Sequence, residues 1–240
     1  MSRSAPPAKE SPPSRVTKVL SVLRRELIQG NILPGQSLPS QRKLAQDLQV
    51  ARGSVREAIV LLESEGIVST HPGGRSQVNN VMTPYFTLVG ETGLQGVELQ
   101  LQVLEARAVL EGEAAYYAAL RASDAELSKL SEEYEAMRLR SMGESTLSKA
   151  KADLTFHMMI ANASHHLIVI SFSQLFYARY FNVIHETLSS TLRRYGRYPD
   201  GIAQQHEKIH RSIQARLPEQ ARSAASEHIL FTRRLLEKGQ

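Results

Sequence analysis

Apolar residues recur at helical spacing along most of this chain, and the first third breaks that rhythm three times. Val16, Val19, Leu20, Leu23 and Leu27 share one face of a predicted helix over Val16–Gln29, which Gly30 and the "LPGQ" turn at Leu33–Gln36 stop. Ser40 follows as an N-cap, with Leu44, Ala45 and Leu48 as the inward stripe of a second helix. After a short break at Val50–Ala51, "RGSVREAIVLLESEGIV" places Val55, Ile59, Leu61, Leu62 and Ile67 at apolar positions. Its front end is polar and basic, with Arg52, Ser54 and Arg56. "IVSTHPGGRSQVNN" then changes to two short β-like pieces around His71–Arg75, with a Gly-Gly tip.

Three helices followed by a hairpin, in that order, predict an N-terminal winged helix-turn-helix over residues 15–80. Residues 81–96 hold Pro84, Gly90 and Gly93 without sustained periodicity and read as a linker. From Val97 the helical period runs almost to the end, with a Ser123/Glu126 capping box and Pro218 at a helix start. No strand signal of any length interrupts it. The expected fold is mainly α, the winged helix being followed by an all-helical bundle of six or seven helices over 97–236.

Composition sharpens this division. A chain of 240 residues with 42% hydrophobic and 22% charged content has the makeup of a globular protein with a proper core. The absence of Cys excludes disulfides and thiolate metal sites. No uninterrupted apolar run approaches the roughly 18 residues of a membrane span. "MSRSAPPAKESPPSR" lacks the apolar segment of a signal peptide, so residues 1–14 read as a disordered tail and the expected location is the cytoplasm, with no membrane partner.

Charge is distributed unevenly. Residues 1–80 hold 11 Lys/Arg against 6 Asp/Glu, a net +5, whereas residues 81–240 hold 18 against 18. The positive excess therefore sits in the first third of the chain, as expected of a part that meets a polyanion. Arg52 and Arg56 stand one turn apart at the start of the third helix and project together. An Arg there can hold guanine O6/N7 through two parallel hydrogen bonds or grip phosphate. The tip glycines allow backbone to approach a sugar-phosphate edge. The plainer alternative is a solvated helix end and an exposed turn.

A second chemistry is suggested by "ADLTFHMMIANASHH". Asp153 and His157 are one turn apart on an apolar helix, a spacing that suits either one shared cation or an ordinary Asp–His hydrogen bond. His206 lies on or beside a stripe that includes Ile209 and Ile213, and His228 is flanked by Ala224, Ala225, Leu230 and Phe231. His185 and His210 have no acidic partner at helical spacing. Each of His206 and His228 could be a satisfied core residue. Three histidines and an Asp on facing helices also make a coherent metal site, because bundles build such sites from inward side chains.

The segment "GNILPGQSLPSQRKLAQDLQVARGSVREAIVLLESEGIVSTHPGGRSQV" resembles the winged helix-turn-helix of the GntR family of bacterial regulators, over roughly residues 15–80. Two positions depart from the family pattern. Gln41 stands where Glu is usual after "LPS", and Ala51-Arg52-Gly53-Ser54 replaces the commoner Ser-Arg-Thr/Ser-Pro. The resemblance implies double-stranded operator DNA as partner, with Arg42, Arg52, Ser54 and Arg56 as contacts, Arg42 towards phosphate, and Gly73 at the wing tip. "ARAVLEGEAAYYAALRAS", "DLTFHMMIANAS", "QHEKIHRSI" and "ARSAASEHI" resemble the helical effector domain (FCD domain) of the FadR-type branch.

That resemblance implies a divalent metal ion held by Asp153, His157, His206 and His228, and three imidazoles with one carboxylate suit zinc first, then nickel or manganese. The separations of 4, 49 and 22 residues match the metal-binding members completely. A single winged helix covers one half-site, so a homodimer on a two-fold operator is expected. The resemblance further implies a small carboxylate effector, with Arg107 at the position of a carboxylate-binding Arg. Pairing of Arg107 with Glu105, Glu111 or another helix is the alternative. His166 stands where relatives often have Asn, so an extra ligand or a changed hydrogen bond is open there. "LEGEAAYYAALRA" resembles pyruvate-responsive members. "HEKIHRSIQARLPEQARSAASEH" and "GGRSQV" resemble the glycolate-utilisation activators, which makes a 2-hydroxy acid such as glycolate the first expectation, lactate the next and a sugar acid a further alternative. No catalytic residue is expected. A purely structural metal site and, remotely, a metal-dependent hydrolase are the competing readings.

Overall fold

A computed structural model describes residues 14–71, 74–86, 96–140, 146–195 and 200–237. The elements, in chain order, are α1 (Arg15–Ile28), α2 (Gln41–Leu48), α3 (Arg52–Ser64), β1 (Val68–Thr70), β2 (Ser76–Val78), α4 (Thr83–Phe86), α5 (Gly96–Arg121), α6 (Asp124–Arg140), α7 (Thr146–Ala163), α8 (Leu167–Tyr195), α9 (Asp200–Gln214) and α10 (Pro218–Glu237). Both expected parts of the fold are present. The proposed tail falls almost wholly outside the described residues.

In the first part, α1 and α2 pack on α3, and β1 pairs antiparallel with β2 in the register Val68↔Val78, Thr70↔Ser76. Ser40 caps α2 by accepting the Lys43 amide at 3.2 Å, while Ser14 caps α1. The segment after the Pro34-Gly35 turn runs beside β2, with Leu38 N donating to Ser76 O and Val78 N to Gln36 O. Val19, Leu23, Leu27, Leu38, Leu44, Val55, Ile59, Leu62, Val68 and Val78 form the core. Burying a side chain of this size contributes about 1.5–3 kcal/mol. The predicted stripes are narrower in the structure. Ala45 and Leu48 are half-buried, and Leu61 is exposed because it lies off the α1-facing side of α3. The linker region includes the one-turn α4, opened by the Thr83-Pro84 pair, for which the sequence shows no period.

The second part consists, among the described residues, of six helices, α5 to α10. Helix α5 is its axis: it lies along α10 and also touches α7, α8 and α9. Small residues allow the close α5–α10 approach, with Ala108, Ala115 and Ala119 on one helix and Ala221, Ala224 and Ala225 on the other. At Gly112 a Cβ would stand 2.3 Å from Ser226 Oγ. That hydroxyl donates to Ala108 O at 2.8 Å. This tight seam brings residues 107 and 111 of α5 up to the histidines. The Ser123/Glu126 capping box forms as predicted, and Pro218 opens α10.

Helix α8 contains a 21-residue stretch, Leu167–Thr187, long and apolar enough to cross a membrane by length and composition. Counting uninterrupted apolar runs misses it because Ser171, Ser173 and Gln174 divide the run.

The two parts meet at the start of α8. Gln174 Nε2 donates to Pro34 O at 3.2 Å, and Asn80 Nδ2 donates to Ser171 O at 2.8 Å. Gly30, at φ +67°, lies so close to His165 that a Cβ would be 2.8 Å from the His165 Cα. His165 itself has φ 46°, and Arg121 donates to its carbonyl at 3.2 Å.

Candidate functional site

Four side chains predicted as ligands converge inside the helical part. Asp153 and His157 come from adjacent turns of α7, His206 from α9 and His228 from α10, and all four are buried. One ligand atom from each lies within 4.8 Å of every other. Tetrahedral ligands on a zinc ion at about 2.0–2.2 Å stand about 3.3–3.6 Å apart, so a pair at the outer limit has to draw in by about 1 Å.

The orientation of the rings is as telling as their proximity. His157 Nε2 is buried with no hydrogen-bond partner, 3.7 Å from Asp153 Oδ1. His206 Nε2, also buried, faces the same oxygen at 3.1 Å. His228 turns its Nδ1 outwards to Gln205 Oε1 at 3.2 Å, leaving Nε2 for the cluster. Leaving buried polar atoms unpaired costs about 1–3 kcal/mol each. A cation accepting three imidazole nitrogens and one carboxylate oxygen removes that cost, and this donor set suits zinc and its neighbours in the transition series. Phe156 closes the site from one side, edge-on to His157 and His206.

Arg107 is 2% exposed and does not stand free. Its Nε donates to Glu111 Oε1 and its Nη2 to Asp153 Oδ2, the latter at 3.2 Å. The alternative reading of the sequence, a pairing with Glu111, is therefore realised, and a bond to the ligand Asp153 is added. Glu111, which the sequence offered only as a partner of Arg107, and Tyr177, which it did not offer, complete the wall. Glu111, one turn after Arg107, places Oε2 against His157 Nδ1, and Tyr177 of α8 donates its hydroxyl to Glu111 Oε1. A signal was available for Glu111. Arg107 and Glu111 both lie on the apolar stripe of α5, with Leu104, Ala108 and Ala115. Charged residues are almost never fully buried there unless paired. Tyr177, inside an apolar run, gave none.

These contacts set the charge state. Burial would raise the Asp153 carboxyl, but His157, His206 and Arg107 outweigh it and hold it well below its usual range. Glu111 is likewise lowered, with burial overcome by Arg107 and His157. Burial drives His228 well below an ordinary histidine, and the neighbouring His206 and His157 push the same way. Its neutral ring is the form that a metal needs. Burial and Glu111 keep Tyr177 a neutral donor.

His166 is not brought to the cluster. It caps α8, Nδ1 accepting the Val169 amide at 3.4 Å, and its ring lies 5.1 Å from that of Tyr117. His185 bonds Ser189, and His210 bonds Ser131 and stacks on Tyr134.

On the winged helix, Arg52 and Arg56 are exposed at the start of α3 and Arg42 is exposed on α2. Among the described residues none of the three is engaged in an ion pair, whereas Arg24 holds Glu65 at 2.5 Å and Lys43 holds Asp47 at 3.1 Å. Ser54 is half-buried beside Arg52, and Ala51 leaves the start of α3 without a side-chain cap. Gly73 lies outside the described residues.

Comparison with known proteins adds family relationships. Residues 16–78 match the family described as "Bacterial regulatory proteins, gntR family", and residues 102–231 match the FCD domain. The chain is 30% identical over 216 residues to the Glc operon transcriptional activator of Escherichia coli (strain K12), covering 88% of this chain and 84% of that protein. It is 28% identical over 239 residues to an E. coli (strain K12) protein whose name assigns it to regulation of the L-lactate dehydrogenase operon, covering 94% and 88%. Among solved structures, Streptococcus agalactiae GntR has a similar fold, with a TM-score of 0.50 at 22% identity over 91% of this chain and 99% of that one.

Proposed function

This chain belongs to the gntR family of bacterial regulatory proteins with an FCD domain, and on that footing we propose that it binds operator DNA as a homodimer in the cytoplasm and senses a small carboxylate at a divalent metal. The family membership makes it a transcription regulator and not an enzyme. The observation that carries the sensing part is the convergence of the buried Nε2 atoms of His157 and His206 on one Asp153 oxygen, at 3.7 and 3.1 Å. Asp153, His157, His206 and His228 would hold the ion, zinc before nickel or manganese. Bound there, the metal would supply a Lewis-acid anchor for oxygen ligands.

Charge indicates the kind of effector. Arg107 contributes one positive charge, and Glu111 and Asp153 contribute two negative ones, so the walls carry a net −1. A divalent ion makes this +1, and a singly charged acid neutralises it. A 2-hydroxy acid offers a carboxylate and a hydroxyl to one ion, which four protein ligands leave coordination positions to accept. Arg107 compensates charge from the wall while bonded to Glu111 and Asp153. Glycolate is the first candidate and lactate the second, in keeping with the operons for which the two E. coli relatives are named.

Arg42, Arg52, Ser54 and Arg56, with Gly73 at the wing tip, form the proposed DNA face. A single winged helix covers one half-site, so two copies read a two-fold operator. Effector binding between α7, α9 and α10 would shift the balance between two arrangements of the dimer by its differential affinity for them, typically 1–3 kcal/mol.

Calorimetry with glycolate and lactate tests this. Zinc-loaded protein should bind one of the acids with release of operator DNA or a change in its affinity, and chelator-treated protein should bind neither. Equal binding with and without metal, or no binding of either acid, overturns the effector assignment. Light scattering that shows a monomer at micromolar concentration, with and without DNA, overturns the dimer.

A further inference from the structure

We propose that Glu111 is the positioning residue of the metal centre, setting the geometry of two of the four ligands from a helix that supplies none. A histidine that binds a metal through Nε2 carries its proton on Nδ1, and a carboxylate at Nδ1 fixes that tautomer, holds the ring plane and raises the basicity of Nε2. Glu111 Oε2 occupies that position against His157 Nδ1. The same carboxylate reaches Asp153 through Arg107, whose Nε binds Glu111 Oε1 and whose Nη2 binds Asp153 Oδ2 at 3.2 Å. With Oδ2 held, Asp153 presents only Oδ1 to the histidines. Tyr177 donates to Glu111 Oε1 and restrains the carboxylate from the α8 side.

Glu111, Arg107 and Asp153 thus form one buried chain of contacts from α5 to α7, with opposite charges side by side. His228 contrasts with it. Its Nδ1 meets Gln205 Oε1, a neutral amide on the more exposed side. The centre thus has one ligand histidine backed by a buried carboxylate and one backed by an amide, and Glu111 is the stronger lever on affinity.

The proposal rests on the metal reading above, and the test separates the two. Zinc affinity is measured by competition with a chromophoric chelator, and cobalt(II) binding by its visible d–d spectrum, on full-length wild type, Glu111→Gln, Glu111→Asp and Tyr177→Phe. Thermal unfolding of the metal-free proteins runs alongside. Glu111→Gln should weaken zinc about 10–100-fold and change the cobalt spectrum. Glu111→Asp keeps the charge but draws the carboxylate back, so it should change the spectrum with a smaller loss, and it is the deciding variant if Glu111→Gln does not fold. Tyr177→Phe should cost least. A merely structural ion pair would lower thermal stability and leave the zinc affinity and cobalt spectrum of the folded variants at wild-type values, and that result overturns the proposal. Wild type that binds neither metal overturns the metal reading itself.

Discussion

Among the described residues, the winged helix buries one polar side chain, Ser76, whereas the helical part buries Arg107, Glu111, Asp153, His157, His206 and His228. In the first region charge stays at the surface, and Arg42, Arg52 and Arg56 remain without ionic partners on the face proposed for DNA. In the second, charge is taken inside and paired, and the Nε2 atoms of His157 and His206 are turned to the same Asp153 oxygen. Surface arginines lose little by waiting for a polyanion, because water solvates them meanwhile. A buried cluster has no such solvent, so each charge must be compensated within the fold. Binding chemistry at the surface is thus separable from stability, and binding chemistry in the core is not.

The sharpest way to break that contrast is to delete a charge from each side. Arg107→Ala leaves the buried carboxylates of Glu111 and Asp153 without their cation, and the metal-free protein should lose about 3–5 kcal/mol by denaturant unfolding. Arg52→Ala should change the same measurement by no more than about 0.5 kcal/mol. Next in size is the metal itself. Zinc at a thousand times its dissociation constant should stabilise the helical part by about 4 kcal/mol in calorimetry, reversed by chelator. His206→Ala and His228→Ala should abolish that gain while leaving DNA affinity in place.

The surface side is then read through DNA. Arg52→Ala and Arg56→Ala should each cost about 1–3 kcal/mol on a specific operator. Arg42→Ala should weaken all sequences alike and reduce the salt slope by about 1. Wild-type operator affinity in both Arg52→Ala and Arg56→Ala would refute the assignment of the recognition face.

The smallest effect is that of mild acid on the metal-free protein. His228 is neutral in the fold with its pKa depressed, so below its ordinary value of 6.5 the unfolded chain binds the extra proton. Stability should fall as pH drops through that region. Asp153 and Glu111, depressed from 3.8 and 4.5, add their losses only at more acid pH. A metal-free helical part whose unfolding free energy is flat from pH 7 to 5.5 would contradict the buried neutral state of His228.

Legibility in the sequence followed the same division. The order of helices and wing was visible because each element of the winged helix buries one face and shows its period, down to the Ser40 cap. Asp153 and His157 could be read as a pair because both ligands come from one helix. That His206 and His228 reach the same point depends on how α9 and α10 pack on α7, which no local period encodes; the family resemblance supplied it. Glu111 was hidden by its spacing. Arg107 and Glu111 at i and i+4 look like an exposed helix pair, and only their place on the Ala-rich stripe of α5 marks them as internal. His166 shows the reverse case, a metal-binding residue type that the fold uses to cap a helix.

Gly30, Pro34, Asn80 and the start of α8 leave one more mark on this molecule. Of the hydrogen bonds from Gln174 and Asn80 across this seam, two end on peptide carbonyls, Pro34 O and Ser171 O, and one on Gln174 Oε1. No substitution can delete a peptide carbonyl. At Gly30 one main chain rests directly on another, without space for a methyl group. An alanine scan would therefore remove these bonds only at Asn80 and Gln174, and residues 34 and 171 would keep their acceptors. The seam also declares itself at Gly30, where the smallest possible enlargement forces the two halves apart.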